Sequence, residues 1–142
     1  MDNITAVDLS QYRLTKAKET LETAKRDLEA KDYASANNRA YYAIFHGIRA
    51  VLALDGEDYK KHSAVIARFT QLYLKSEIFP KEYGKTISHA SLIRNRSDYE
   101  DFFICSNSDT EKLVSDAEVF LKDICNYLEN QYSARRQNST AD

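Results

Sequence analysis

ASANNRAYYAIFHGIRAVLALDG, residues 34–56, separates into three stripes when read at a helical period. Small residues Ala36, Ala40, Ala43, Gly47 and Ala50 form one. Large apolar residues Tyr41, Ile44, Phe45, Ile48 and Leu52 form the second. A polar set, Ser35, Arg39, Tyr42, His46 and Arg49, forms the third. Two apolar stripes on one helix need two neighbours to cover them, so this segment is predicted to be the central helix of a bundle. Asp32 suits its N-cap, and Gly56 suits the left-handed position that follows its end.

The rest of the chain is read from this centre. A preceding helix is expected from about Asp8 to Ala30, with Leu14, Ala17, Leu21, Ala24 and Leu28 on one face and Lys16, Glu19, Glu22, Lys25 and Glu29 on the other. A third helix, roughly Tyr59–Ser76, presents His62, Ile66, Phe69 and Tyr73 on one side. A fourth is predicted from Pro80, which fits a first turn because its missing amide proton has no partner there anyway, to about Asp98. The last begins at SDTE, Ser108–Glu111, a capping-box pattern, and continues through Leu113, Ala117, Phe120, Leu121, Ile124 and Leu128. Only three glycines and one proline in 142 residues leave little turn chemistry for short strands. The expected class is all-α, an up-and-down bundle of about five helices. One domain is predicted over residues 1–132, followed by a polar tail, 133–142, whose lost periodicity reads as disorder.

Composition narrows the function classes. A formal charge of −2 and a sequence pI near 5.9 argue against coating nucleic acid through bulk positive charge, leaving local basic patches as the only electrostatic route. Cys105 and Cys125 lack CxxC spacing and are too few for a disulfide framework, so both read as reduced thiols, Cys125 in the core. The first twelve residues lack the basic and apolar regions of a signal peptide, and nothing approaches a membrane-spanning apolar run. A cytoplasmic protein with no membrane association is expected. With no HExxH, Cys/His cluster or Gly-rich phosphate loop, neither a metal nor another cofactor is predicted.

Two places carry the polar chemistry. In SLIRNRSDYEDF, residues 91–102, Arg94 and Asp98 are four apart and share a helix face, which by itself is an ordinary surface ion pair. Arg96, Tyr99, Glu100 and Asp101 crowd the same helix end. On the central helix, Arg39, Tyr42, His46 and Arg49 follow steps of three, four and three. Exposed faces usually carry Glu and Lys, whereas two arginines, a tyrosine and a histidine suit phosphate, since the guanidinium fork binds it in a bidentate way and imidazole titrates near neutral pH. His62, at a helix start, is open to a bond with backbone or solvent. His89 lies five positions before Arg94 and is not paired with it.

Three strings together, ASANNRAYYAIFHGIRAVLALDG, KKHSAVIARFTQLYLKSEIF and LIRNRSDYEDF, resemble the HEPN superfamily, specifically its small stand-alone prokaryotic branch with an AYYA-x-FH helix, a KHS helix start and an R-x3-DY helix end. The resemblance covers about Ala30 to Tyr127. It implies a helical bundle that pairs as a homodimer with a polar dimer cleft. Many such proteins are metal-independent RNA-cleaving toxins beside a small nucleotidyltransferase antitoxin, with an R-x4-6-H motif in which arginine holds the scissile phosphate and histidine aids attack by the 2′-hydroxyl.

The sequence departs from that motif. Tyr99 stands where the shortest form counted from Arg94 would place histidine, and no histidine follows Arg96 within reach. Tyrosine, with an ordinary pKa near 10, is a poor general base at neutral pH. Tyr99 is instead expected as a hydrogen-bond donor to phosphate or an acceptor of a nucleotidyl group. The leading expectation is therefore a binding module for RNA or a nucleotide at a dimer cleft, partnered by a nucleotidyltransferase, with Arg94, Arg96 and Arg39 gripping phosphate and Asp98 orienting an arginine. The alternative is an active endoribonuclease toxin using Arg94 and Tyr99, with His62 or His46 brought in from another helix. A non-catalytic scaffold is the third reading.

Overall fold

The computed structural model describes residues 5–101 and 103–141, with side chains through residue 137. Residues 1–4, read above for a leader, and Asp142 of the polar tail lie outside the described residues. The order is α1 (Ala6–Glu29), α2 (Tyr33–Leu54), α3 (His62–Phe69) running into a π-helical turn (Thr70–Leu74), α4 (Tyr83–Tyr99) and α5 (Asn107–Ala141). No strand occurs among the described residues. The chain is an all-α bundle, as the periodicities predict.

Helix α2 occupies the centre, against α1 and α5 and in touch with α3 and α4. All five small residues and all five large apolar residues of its two apolar stripes are buried, while the polar stripe is half-buried throughout. The small stripe explains the closest approach. A Cβ on Gly47 would lie 2.6 Å from Cδ2 of Leu121, so glycine lets α5 approach here. Contacts fix the directions: Ser10 near the start of α1 bonds to Ala50 O near the end of α2, while Asn37 and Thr110, each near the start of its helix, bond to each other. Helix α1 therefore runs antiparallel to α2, and α5 runs parallel to it.

Several boundaries differ from the sequence reading, each for a local reason. Asp32 does cap α2, accepting a hydrogen bond from Ser35 N, and Gly56 has φ +72°. Helix α3 starts at His62 rather than Tyr59, because Tyr59 N donates to the Asp58 carboxylate instead of entering a helix. Pro80 opens a run of tight turn bonds, from Tyr83 N to Pro80 O and from Gly84 N to Lys81 O, so α4 begins three residues later. The cap of α5 is Ser106, whose Oγ accepts from Asp109 N at 3.1 Å, not Ser108. Thr110, fully buried, bonds to Ser106 O and Asn37 and draws the helix start back.

The segment from Ser133, expected as a disordered tail, continues α5 as helix to Ala141. Its anchors are tertiary. Buried Tyr132 shares a 2.7 Å hydrogen bond with Ser10, and Arg135 donates to Leu54 O, an unpaired carbonyl at the end of α2. Ser10→Ala would strand the Tyr132 hydroxyl, while Ala50 O keeps its place in the α2 ladder. An expected loss of about 1–2 kcal/mol follows from leaving a buried polar group unpaired, measurable by urea denaturation, and a change below a few tenths would mean water replaces the serine.

Candidate functional site

Arg94 and His62 meet over the first half of α2. Helix α4 carries Arg94 across the two rings of Tyr41 and Tyr42, with its guanidinium carbon 5.0 and 5.5 Å from their centroids. Its Nη1 lies 3.4 Å from Nδ1 of His62. The Tyr41 hydroxyl reaches the same Nδ1 at 2.8 Å, and the imidazole stacks on Phe45 with centroids 4.0 Å apart. Arg39 sits 5.4 Å from the Tyr42 ring. The guanidinium groups of Arg39 and Arg94, which belong to different helices, thus both lie by the Tyr42 ring.

Asp98 lies 3.6 Å from Arg94 Nε. That is an ionic contact and too long for a hydrogen bond, consistent with Arg94 Nε being shielded from solvent without a hydrogen-bond partner among the described residues. Arg94 is therefore oriented by two aromatic rings and a carboxylate.

The protonation pattern follows from the partners. Guanidinium can only donate, so the Nδ1 that faces both Arg94 and the Tyr41 hydroxyl must be the accepting nitrogen, which assigns the proton of neutral His62 to Nε2. Burial, with Arg94 and Arg49 nearby, lowers the His62 pKa below its ordinary value and keeps the ring neutral. Burial also raises the Tyr41 pKa, an effect Arg94 partly opposes, so its hydroxyl stays a donor. His62 consequently offers an N–H, with its lone pair already engaged. That is the state of a hydrogen-bond donor to an anion rather than of a free base.

The other predicted residues are placed apart from this cluster. His46 is one ring further along α2, its centroid 6.0 Å from that of Tyr42, and burial together with Lys16, Arg49, Arg39 and Arg13 lowers its pKa to about 4. Arg96 faces away from Arg94, bonding Glu100 at 2.8 Å and lying over Phe103 beside His89. Tyr99 is 82% exposed. Arg49 and Arg13 both hold Asp58, at 3.0 and 3.1 Å. Among the described residues, no group of three or more His, Cys, Asp or Glu is arranged to hold a metal, and no helix is long and apolar enough to cross a membrane.

A family model described as HEPN domain matches residues 10–132 of this chain. The chain belongs to the HEPN family. Among its relatives is a Thermotoga maritima protein named "UPF0332 protein", 32% identical over 120 residues, spanning 84% of this chain and 91% of that one. A Methanocaldococcus jannaschii protein named "Putative toxin MJ0605" is 33% identical over 105 residues, 74% of this chain and 78% of that one. An Archaeoglobus fulgidus "UPF0332 protein" is 29% identical over 82% of this chain and 92% of its own length.

Within this HEPN domain, the sequence reading missed Tyr41 and Phe45 as site residues. Both belong to the large apolar stripe, and both are buried as that stripe requires. Their polar or stacking edges reach His62 only because α3 starts where it does. The one available hint was the doubled tyrosine of AYYA, which turns one ring to the core and its neighbour to the polar stripe.

Proposed function

We propose that this HEPN protein binds RNA or a nucleotide by its phosphate, with Arg94 and the Nε2–H of His62 as donors and Arg39 as a nearby positive charge. The reading includes a homodimer whose cleft contains this site, a small nucleotidyltransferase as partner, and the cytoplasm as its compartment. The observation that carries it is the meeting of the Arg94 guanidinium, held by Tyr41, Tyr42 and Asp98, with a neutral imidazole from a separate helix. Charged donors preset in one geometry bind an anion without a large ordering cost.

Arg94→Ala is expected to weaken binding of single-stranded RNA at low salt by about tenfold or more, since a hydrogen bond to a charged group contributes about 1.5–3 kcal/mol. The melting temperature should fall by only a few degrees, because its contacts with the tyrosine faces contribute about 0.5–2 kcal/mol. Fluorescence anisotropy with labelled RNA, alongside thermal melts, checks both. Unchanged affinity with a large loss of stability would make Arg94 a structural residue and end this reading.

The toxin names of archaeal relatives favour a second reading, an endoribonuclease that needs no metal. The engaged lone pair of His62 weighs against it. RNA cleavage by clean protein in a chelator, abolished by Arg94→Ala and by His62→Ala, would establish it over binding alone.

A further inference from the structure

Beside His62 lies a cleft of about 420 Å³, lined by Phe45, Arg49, Asp58, Tyr59, Lys60 and His62. The volume is within the range of small-molecule pockets. We propose that this cleft is a nucleoside subsite: it takes the base of the nucleotide adjoining the phosphate held at Arg94, stacked on Tyr59, with Arg49 and Lys60 facing the next phosphate along a single strand. The inference rests on the phosphate reading above.

Three observations support it. Tyr59 is 39% exposed, yet its hydroxyl donates to Glu57 at 2.5 Å, and Arg68 grips both oxygens of that carboxylate at 2.6 and 3.1 Å. An exposed ring braced this firmly is a ready stacking platform, and stacking on aromatic side chains is how single strands are held without duplex geometry. The charge in the cleft is also suitable. Asp58 is outnumbered by the two arginines that hold it, Arg13 and Arg49, and Lys60 adds a further cation. Finally, His62 belongs to both the cleft and the Arg94 cluster, so the two adjoin.

The test uses the full chain and fluorescein-labelled hexauridylate, with anisotropy read at low salt, and inorganic phosphate as competitor. Tyr59→Leu should weaken hexauridylate binding about five- to 150-fold, the range expected for losing one stacked base, while Tyr59→Phe stays within about threefold. The concentration of phosphate needed for competition should shift with Arg94→Ala and not with Tyr59→Leu. Matching thermal melts for wild type and Tyr59→Leu separate lost stacking from lost folding. If Tyr59→Leu binds hexauridylate like wild type while Arg94→Ala does not, the subsite is wrong and the phosphate reading stands. If Arg94→Ala binds unchanged, the phosphate reading falls and the subsite falls with it.

Discussion

Replacing Phe120 with alanine should lower stability by about 3–5 kcal/mol, the range for removing a buried aromatic ring, and the melting temperature by roughly 10–20 °C at this chain length. Phe120 is fully buried on α5. Its ring meets Phe69 of α3 edge-on at 6.0 Å and Tyr83 of α4 at 5.0 Å, so one side chain joins three helices. The hole could not be filled cheaply. Tyr83 is tied by its hydroxyl to Asp123 of α5, and Phe69 is stacked on Tyr73 and Phe79, which restricts either ring from moving inward. Chemical denaturation reads the effect. A loss under about 1.5 kcal/mol, well below the usual cost of a large-to-small core change, would mean that the α3–α4–α5 junction relaxes and is not the rigid support described.

Acid should weaken the fold through His46 as pH falls below about 6.5. Its pKa is about 4 in the folded chain, from burial first and then from the positive charges of Lys16, Arg49, Arg39 and Arg13, against an ordinary 6.5 when unfolded. A depressed folded pKa means that the unfolded chain binds the proton more readily. The stabilisation is therefore complete above about pH 6.5 and is lost as pH falls through 4. At about 1.36 kcal/mol per pKa unit, and allowing for partial exposure, the loss is about 2–3 kcal/mol. His62, also depressed, acts in the same direction. Glu57 and Asp58 act lower down. Arg68 and the Tyr59 hydroxyl hold Glu57 below its usual range, while for Asp58 burial is outweighed by Arg49 and Arg13, so what these carboxylates contribute is lost only in stronger acid. Urea titrations at pH 7, 5.5 and 4.5 on wild type and His46→Gln should show a shallower pH slope for the variant. Parallel slopes would place the acid sensitivity elsewhere.

Much of the architecture was legible because it depends on period alone. The faces of α1, α2 and α5 repeat apolar residues at helical spacing, and burying them leaves few arrangements other than a bundle around α2. Helix ends were less legible, since Pro80 and SDTE each have a local preference that a neighbouring contact overrides. Ser106 displaced Ser108 as a cap because Thr110 found Asn37 inside the core. The helical course beyond Ser133 depended on Tyr132 and Arg135 reaching residues 122 and 81 positions away. A composition window holds no such information.

The candidate site divides in the same way. Arg94, Asp98 and Arg39 could be chosen from residue type and spacing, and the structure brings them to neighbouring rings. Arg96 carries the same chemistry two residues on, but a two-residue step turns a helical side chain to another face, and it meets Glu100 and Phe103 instead. By itself, then, the sequence determined the helices, the buried stripes and the supply of phosphate-seeking side chains, because these follow from periodicity and functional groups. Tertiary structure decided that His62, from a separate helix, shares its lone pair with Tyr41 and Arg94 while His46 is set one ring away, because the directions of side chains from different helices are set only when those helices pack.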